Sequence, residues 1–306
     1  MNRREFCRHA MLGLAAVWWA GQWGWAGVAP RSAPGLRLAL LADAHLTDGS
    51  DRRPEALGLM RAVAEIKALN PPPDLVLFAG DLAHDGHPGA LALGRELLAE
   101  LPAPLLAVRG EGDGEPGVGG AWTQLFGSYP ALYQVQGLNV VSLYTSRRLT
   151  PQGPLFTLGE FQRRWLGRTL ASLCPETPLL ILTHAPLAAL FRPWGHWTGD
   201  SGGLVPLLRR FSSVLMVHGH GHHLSAPDPA SSRSGAWAAG AEDRSRPLPV
   251  LPRPGVGLPS LSRPSPSPLQ GTPGKLLPGQ GPRGCGWLEL SLRGDTWVAF
   301  PHLWTL

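Results

Sequence analysis

An α/β fold with a sheet buried on both faces is what this chain predicts, and three observations lead there. Apolar runs alternate with amphipathic segments from residue 36 onward; the runs are continuous; and five of them close on a carboxylate, a histidine or both. Continuous apolar strands belong to sheets that helices cover on both sides, and a βαβαβ order makes such a sheet parallel. With 306 residues and 43% hydrophobic content, the chain is long enough for one large domain or two modest ones with a substantial core.

Each element has its own signal. "LRLALLADAH" (36 to 45) reads as a buried strand, and "PEALGLMRAVAEIKALN" (54 to 70) as a helix with Pro54 near its start and "NPPP" beyond its end. "DLVLFAGD" (74 to 81) is the next strand, "PGALALGRELLAEL" (88 to 101) the next helix, and "PLLAVRG" (104 to 110) a third strand. "ALYQVQG" and "LNVVSLYTS" then read as an antiparallel pair. A helix near 159 to 173, the strand "PLLILTH" (178 to 184), a helix near 203 to 211 and the strand "SVLMVHGH" (213 to 220) follow, and "GWLELSLRG" and "TWVAFP" close the chain.

Two segments stand outside this pattern. Residues 1 to 30 combine Arg3-Arg4, a Trp-rich apolar run and small residues near Ala26 to Ala29, the layout of an export signal. With Phe6 after the arginine pair, the segment resembles a twin-arginine (Tat) signal, and a plain membrane anchor is the other reading. The resemblance implies export by the Tat machinery to the periplasm or the outer face of the cytoplasmic membrane, as a folded chain with its metal already acquired. Residues 225 to 283 hold 13 of the 32 prolines with many Ser, Gly and Arg, too little apolar surface to offset their ordering entropy. They read as a flexible insertion, with a lid or partner-binding arm as the alternative. The expected organisation is a signal or anchor (1 to 30), a core (31 to 224), the insertion (225 to 283), and C-terminal strands completing the core (284 to 306).

The net charge of +5 sits outside the core, since residues 31 to 224 hold sixteen basic and sixteen acidic side chains. Without a basic stripe carrying interleaved aromatics in the folded part, no specific nucleic-acid partner is expected. Cys7 lies in the signal segment, while Cys174 and Cys285 form either one disulfide or two separate thiols, and the lack of a CxxC pair argues against a thiolate zinc site. Nothing in the sequence bears on oligomeric state.

Chemistry concentrates at the strand ends. The first strand closes on Asp43-Ala44-His45, the second on Gly80-Asp81, the third on Gly110-Glu111-Gly112-Asp113, a later one on His184, and another on His218-Gly219-His220-Gly221-His222-His223. Ligands of open α/β sheets bind at the carboxyl ends of the strands, so these side chains are placed to converge. Imidazoles with carboxylates suit borderline divalent metals such as Mn, Fe or Zn.

In this order and context, "DAH", "GDLAHDG", "THAPL" and "GHGH" resemble the motifs of the calcineurin-like metallophosphoesterases, over residues 36 to 224. The resemblance implies a four-layer αββα sandwich, two mixed β-sheets flanked by helices, with two divalent metal ions on the strand ends. It implies that Asp43, His45 and His222 hold one ion, that Asp81 bridges both, and that His184 and His220 hold the second. A phosphoester is the implied substrate, a monoester or a diester. Asp81 and His184 are the residues expected to matter most for turnover, because a cation pair clamps the phosphate and activates the attacking water.

One stretch departs from the family. Where its pattern reads Gly-Asn-His-Asp, this chain has Gly110-Glu111-Gly112-Asp113. Glu111 still offers oxygen to the second ion, but Gly112 cannot replace an imidazole that in the family contacts the phosphate and assists the leaving group. A positioned general acid is worth ~10² to 10⁴ in rate, or roughly 3 to 5 kcal/mol of barrier. Three outcomes follow: slow hydrolysis by the metal pair alone, a proton from His84, His87 or His196, or an exported relative without catalysis that binds metal, phosphate or a partner protein.

Overall fold

The computed structural model describes residues 35–114, 120–150, 153–187, 197–220, 256–257, 284–294 and 296–305. The signal segment, His196, His222 and all but two residues of the proline-rich insertion lie outside the described residues.

The chain opens with β1 (Leu36–Leu41), α1 (Pro54–Lys67), β2 (Leu75–Ala79), α2 (Pro88–Ala99) and β3 (Leu105–Val108). Pro54 sits in the first turn of α1, where its missing N–H is harmless, and Ala56, Leu59, Ala62, Val63 and Ile66 recur at helical spacing on the buried face. A short helix α3 (Ala121–Phe126) precedes β4 (Ala131–Val135) and β5 (Leu138–Ser142), which pair antiparallel as expected. After the hairpin β6 (Ser146–Thr150) and β7 (Gly153–Thr157) come α4 (Gly159–Ser172), β8 (Leu179–Leu182), α5 (Val205–Leu208) and β9 (Val214–His218). The strands β10 (Val256–Gly257), β11 (Gly284–Arg293) and β12 (Thr296–Thr305) complete the order.

Two five-stranded mixed sheets result, β12-β11-β1-β2-β3 and β10-β9-β8-β5-β4. Side chains alternate across each sheet, and that alternation builds the layers. Leu36, Leu38 and Leu40 of β1 point between the sheets, meeting Leu77, Val140 and Leu180. Ala39 and Leu41 point the other way, under Leu59, Val63 and Ile66 of α1. On the outer face of the second sheet, Val141 and Ile181 pack beneath Leu166 and Leu170 of α4 and Leu208 of α5. The layers therefore run helix, sheet, sheet, helix, the αββα sandwich. Fully burying one Leu or Ile in this stack contributes about 1.5–3 kcal/mol, so the two interleaved strand faces are the main stabilising element.

The structure corrects two local expectations and decides a third point that the residues left open. The helix near 203 to 211 is a 3₁₀ turn (Ser201–Leu204) followed by the single α-turn of α5. "LNVVSLYTS" is not one strand: β5 stops at Ser142, and Ser146 opens the separate two-stranded ribbon β6-β7. Cys174 is in no disulfide; its thiol donates to Glu176 Oε2 at 2.9 Å.

Candidate metal centre

Asp43, Asp81, Gly110, His184 and His220 each lie two residues beyond the last residue of β1, β2, β3, β8 and β9, respectively. β1, β2 and β3 run parallel, as do β8 and β9, so each sheet delivers its strand ends to one edge. The turns are then tied together by backbone. Asp43 N–H donates to the Gly80 carbonyl at 2.9 Å, His45 N–H to the Asp81 carbonyl at 2.9 Å, and Gly219 N–H to the His184 carbonyl at 3.0 Å. Asp43, His45, Asp81 and His220 all take positive φ, between 49° and 64°. Left-handed backbone at a non-glycine residue costs of order 1–3 kcal/mol, and four such residues at one site mark a place where side-chain direction outweighs local comfort.

The side chains converge accordingly. His184 Nε2 lies 2.8 Å from Glu111 Oε2 and 3.4 Å from Asp81 Oδ1; His220 Nδ1 lies 2.9 Å from Glu111 Oε1; His45 Nε2 lies 3.7 Å from Asp81 Oδ2. Asp43 Oδ1 accepts from His220 N–H at 3.0 Å. Two groups of candidate ligands emerge, Glu111 with His184 and His220, and Asp43 with Asp81 and His184, each with its donor atoms within 4.8 Å of one another. His184 belongs to both groups, whereas sequence reasoning placed it with the second ion alone.

A cation fits this donor set for a specific reason. The His184 Nδ1–H must donate to the Ala79 carbonyl, 2.7 Å away, because a carbonyl only accepts. In its neutral form the ring therefore turns a bare Nε2 lone pair toward carboxylate oxygens, and both Nε2 and Glu111 Oε2 are buried outside hydrogen-bonding alignment. Two facing lone pairs repel unless a proton or a metal ion lies between them.

The titration shifts have the same origin. Burial raises the Asp43 carboxyl well above its ordinary value and Asp81 to about 7, against the opposing pull of His184. Burial alone would also raise Glu111, but His220 and His184 outweigh it and hold that carboxyl well below the usual range. For His184 burial works downward, and Asp81 and Glu111 reverse it, so the imidazole is raised. Such reversals mark a buried cluster assembled to hold positive charge.

The turn Glu111–Asp113 repays attention to what sequence reasoning missed. Asp113 is not a ligand but a brace: its carboxylate accepts from Asp81 N–H and Gly110 N–H at 2.9 Å and from Ala83 N–H at 2.7 Å. The signal was there in the carboxylate that ends the Gly-rich turn. Gly112 N–H donates to Asp81 Oδ1 at 2.7 Å, and a Cβ on Gly112 would stand 2.7 Å from the Ala83 carbonyl oxygen. The imidazole absent from the sequence thus has no room on this backbone. Of the substitutes, His87 caps α2, its Nδ1 accepting from Ala90 N–H at 3.3 Å. His84 is half exposed, its ring 6.4 Å from that of His45. Arg109, one residue before Gly110, is buried and stacks 4.5 Å over the Tyr144 ring, a neighbour of the site that sequence reading assigned no role.

Comparison with known proteins bears on the fold and the family. The chain is 28% identical over 198 residues to a "probable cyclic nucleotide phosphodiesterase" of Synechococcus sp., covering 61% of this chain and 73% of that one. It is 32% identical over 154 residues to the 3',5'-cyclic adenosine monophosphate phosphodiesterase CpdA of Escherichia coli K12, covering 49% of this chain and about half, 54%, of that relative's length. Among solved structures, a dimetal phosphatase from Danio rerio superposes with a TM-score of 0.60 at 15% identity, over 88% of this chain and 96% of the other. A purple acid phosphatase from yellow lupin superposes at 0.52 and 13% identity, over 86% and 50%; both likenesses speak to the fold alone. The sequence pattern of the calcineurin-like phosphoesterases spans residues 36–224, from the first strand through the last histidine cluster, and the chain belongs to that family.

Proposed function

We propose that this protein is a metal-dependent phosphoesterase that hydrolyses a phosphodiester or phosphomonoester at a dinuclear centre. The observation that supports it best is the pair of ligand groups sharing His184, which gathers five strand ends around Asp81. In this reading Asp43, His45 and Asp81 hold one ion, with His222 expected beside them, and Asp81, Glu111, His184 and His220 hold the other. The pair, when bound, polarises the phosphate and supplies a water-derived nucleophile. The chain's own part is positional: Ala79 orients His184, Gly112 and Asp113 orient Asp81, and Asp43 is braced by the His220 amide. Because both curated relatives named above carry cyclic nucleotide phosphodiesterase names, a 3',5'-cyclic nucleotide is the first diester to try.

The test is elemental mass spectrometry of the purified protein together with turnover of cyclic AMP, bis-p-nitrophenyl phosphate and p-nitrophenyl phosphate. Two ions per chain and hydrolysis that Asp81→Ala reduces by at least about 10³-fold are expected, because in this reading Asp81 would hold both ions. A protein with no metal, or with turnover indifferent to Asp81→Ala, rules the reading out.

The crowding around Gly112 favours a second reading, an impaired relative that binds metal and phosphate without turning substrate over. It predicts two ions and phosphate binding with no hydrolysis of any ester tried. Export through the Tat route is also proposed, on the Arg3-Arg4-x-Phe6 stretch. Replacing both arginines by lysine should leave the protein in the cytoplasm; unchanged periplasmic recovery would exclude the route.

A further inference from the structure

The ribbon β6-β7 belongs to neither main sheet, yet it is docked on the metal centre. Its Phe156 is fully buried, and the Phe156 ring meets the His220 ring edge-on at 4.6 Å between centroids. Thr198 bridges to Phe156, and Gly199 N–H donates to the Phe156 carbonyl at 2.8 Å, holding β7 from the other side. In the antiparallel register Arg147 stands directly opposite Phe156. Residues directly opposite one another project from the same face of a ribbon, so Arg147 issues from the face that covers His220, while its neighbour Arg148 issues from the reverse face. Arg147 is solvent-accessible on that face. An exposed guanidinium directly opposite the ring that packs on His220 stands beside the centre on its solvent side.

Resting on the phosphoesterase reading above, we propose that Arg147 is the phosphate-binding cation of this site, reaching from the β6-β7 ribbon over His220 to take the phosphate oxygens that face away from the metal pair. Two features make the site need it. Gly112 leaves the turn after β3 without a side chain that can touch a phosphate, and its surroundings admit none. Glu111 meanwhile brings a full negative charge against His184 and His220, which a neutral ligand would not, and so weakens the centre's attraction for an anion. A planar guanidinium answers both needs, since it donates two parallel N–H bonds to a phosphate and keeps its charge at any working pH.

The experiment measures inorganic phosphate binding to the metal-loaded full chain by titration calorimetry, with metal content determined in parallel. Arg147→Ala should weaken phosphate binding by about tenfold or more, equivalent to ~1.4 kcal/mol, with metal content unchanged. Arg147→Lys should restore part of the loss, as a point charge without the fork. Arg148→Ala, on the reverse face, should bind like the parent. Binding by Arg147→Ala within about twofold of the parent, or an equal loss in Arg148→Ala, overturns the proposal while leaving the phosphoesterase reading intact. A parent protein that holds metal but takes up no phosphate also overturns the proposal, while the phosphoesterase reading stands or falls on turnover of the esters.

Discussion

The turn after β1 and the turn after β3 meet at Asp81, but they are built on opposite rules. After β1, Asp43 and His45 are ordinary L-residues held at φ 55° and 49°, and their side chains are the point. After β3, Gly110 and Gly112 carry none, and their backbone is the point: the space a Cβ would need is taken by Asp81 Oδ1 at Gly110 and by the Ala83 carbonyl oxygen at Gly112, 2.7 Å from such a Cβ. Strain is tolerated where a ligand must be aimed, and side chains are excluded where the backbone must touch a ligand to orient it. The glycine at 112 is therefore tied to the backbone contact with Asp81, since Gly112 N–H donates to Asp81 Oδ1 where a Cβ would meet the Ala83 carbonyl.

That contrast can be broken most directly at Gly110. Gly110→Ala puts a methyl against Asp81 Oδ1 and the Asp81 amide, and should destabilise the fold by about 3 kcal/mol, the upper end for overpacking, besides lowering metal affinity. Chemical denaturation with metal content read alongside checks it; a variant as stable as the parent would mean the turn can open. A smaller loss is expected at the brace. Asp113→Asn retains one acceptor oxygen for three backbone donors and turns an NH₂ toward one of them, costing about 1.5–3 kcal/mol. If Asn is tolerated without loss in a thermal melt, Asp113 does not brace the turn.

The smallest effect is in pH. Burial raises Asp81 and Asp113 from an ordinary 3.8 to about 7, and His184 is raised as well, by Asp81 and Glu111 against its own burial. A raised group binds its proton more tightly folded than unfolded: for Asp81 and Asp113 the stabilising contribution is complete below 3.8 and lost as pH climbs through about 7, and for His184 it is complete below the ordinary imidazole value of 6.5 and lost as pH climbs above it. Glu111 has the opposite sign, but only below its own ordinary value of 4.5. Chelated protein should therefore melt at a lower temperature near pH 8 than near pH 5, and added divalent metal should reverse the order, since the ion replaces those protons. Chelated melts that rise with pH would show that the buried carboxylates are not clustered as described.

Much of this was legible in the residues. "LRLALL", "LVLFA" and "LLIL" declare buried strands because both their faces are covered, and each was located to within a few residues of its observed ends. The ribbon "SRRLT" and "GPLFT" was not, for a physical reason: it joins neither main sheet and leaves Leu149 exposed, so its sequence shows neither a continuous nor an alternating apolar run. Helix α3, six residues long, is too short to display a period. The candidate ligands could be named because each directly follows a strand, but His222 lies outside the described residues and keeps only its sequence argument.

By itself the sequence determined the buried strands and the helices beside them, the strand ends that carry chemistry, and the absence of a His at position 112, because burial pattern and residue identity are local properties of a chain. Only the tertiary structure decided that His184 serves both ligand groups, that Asp113 braces rather than binds, that Gly112 has no space for a side chain, and that Arg147 shares a ribbon face with the ring packed on His220. Those facts depend on which atoms from distant strands approach within a few ångströms, and the chain writes no spacing for that.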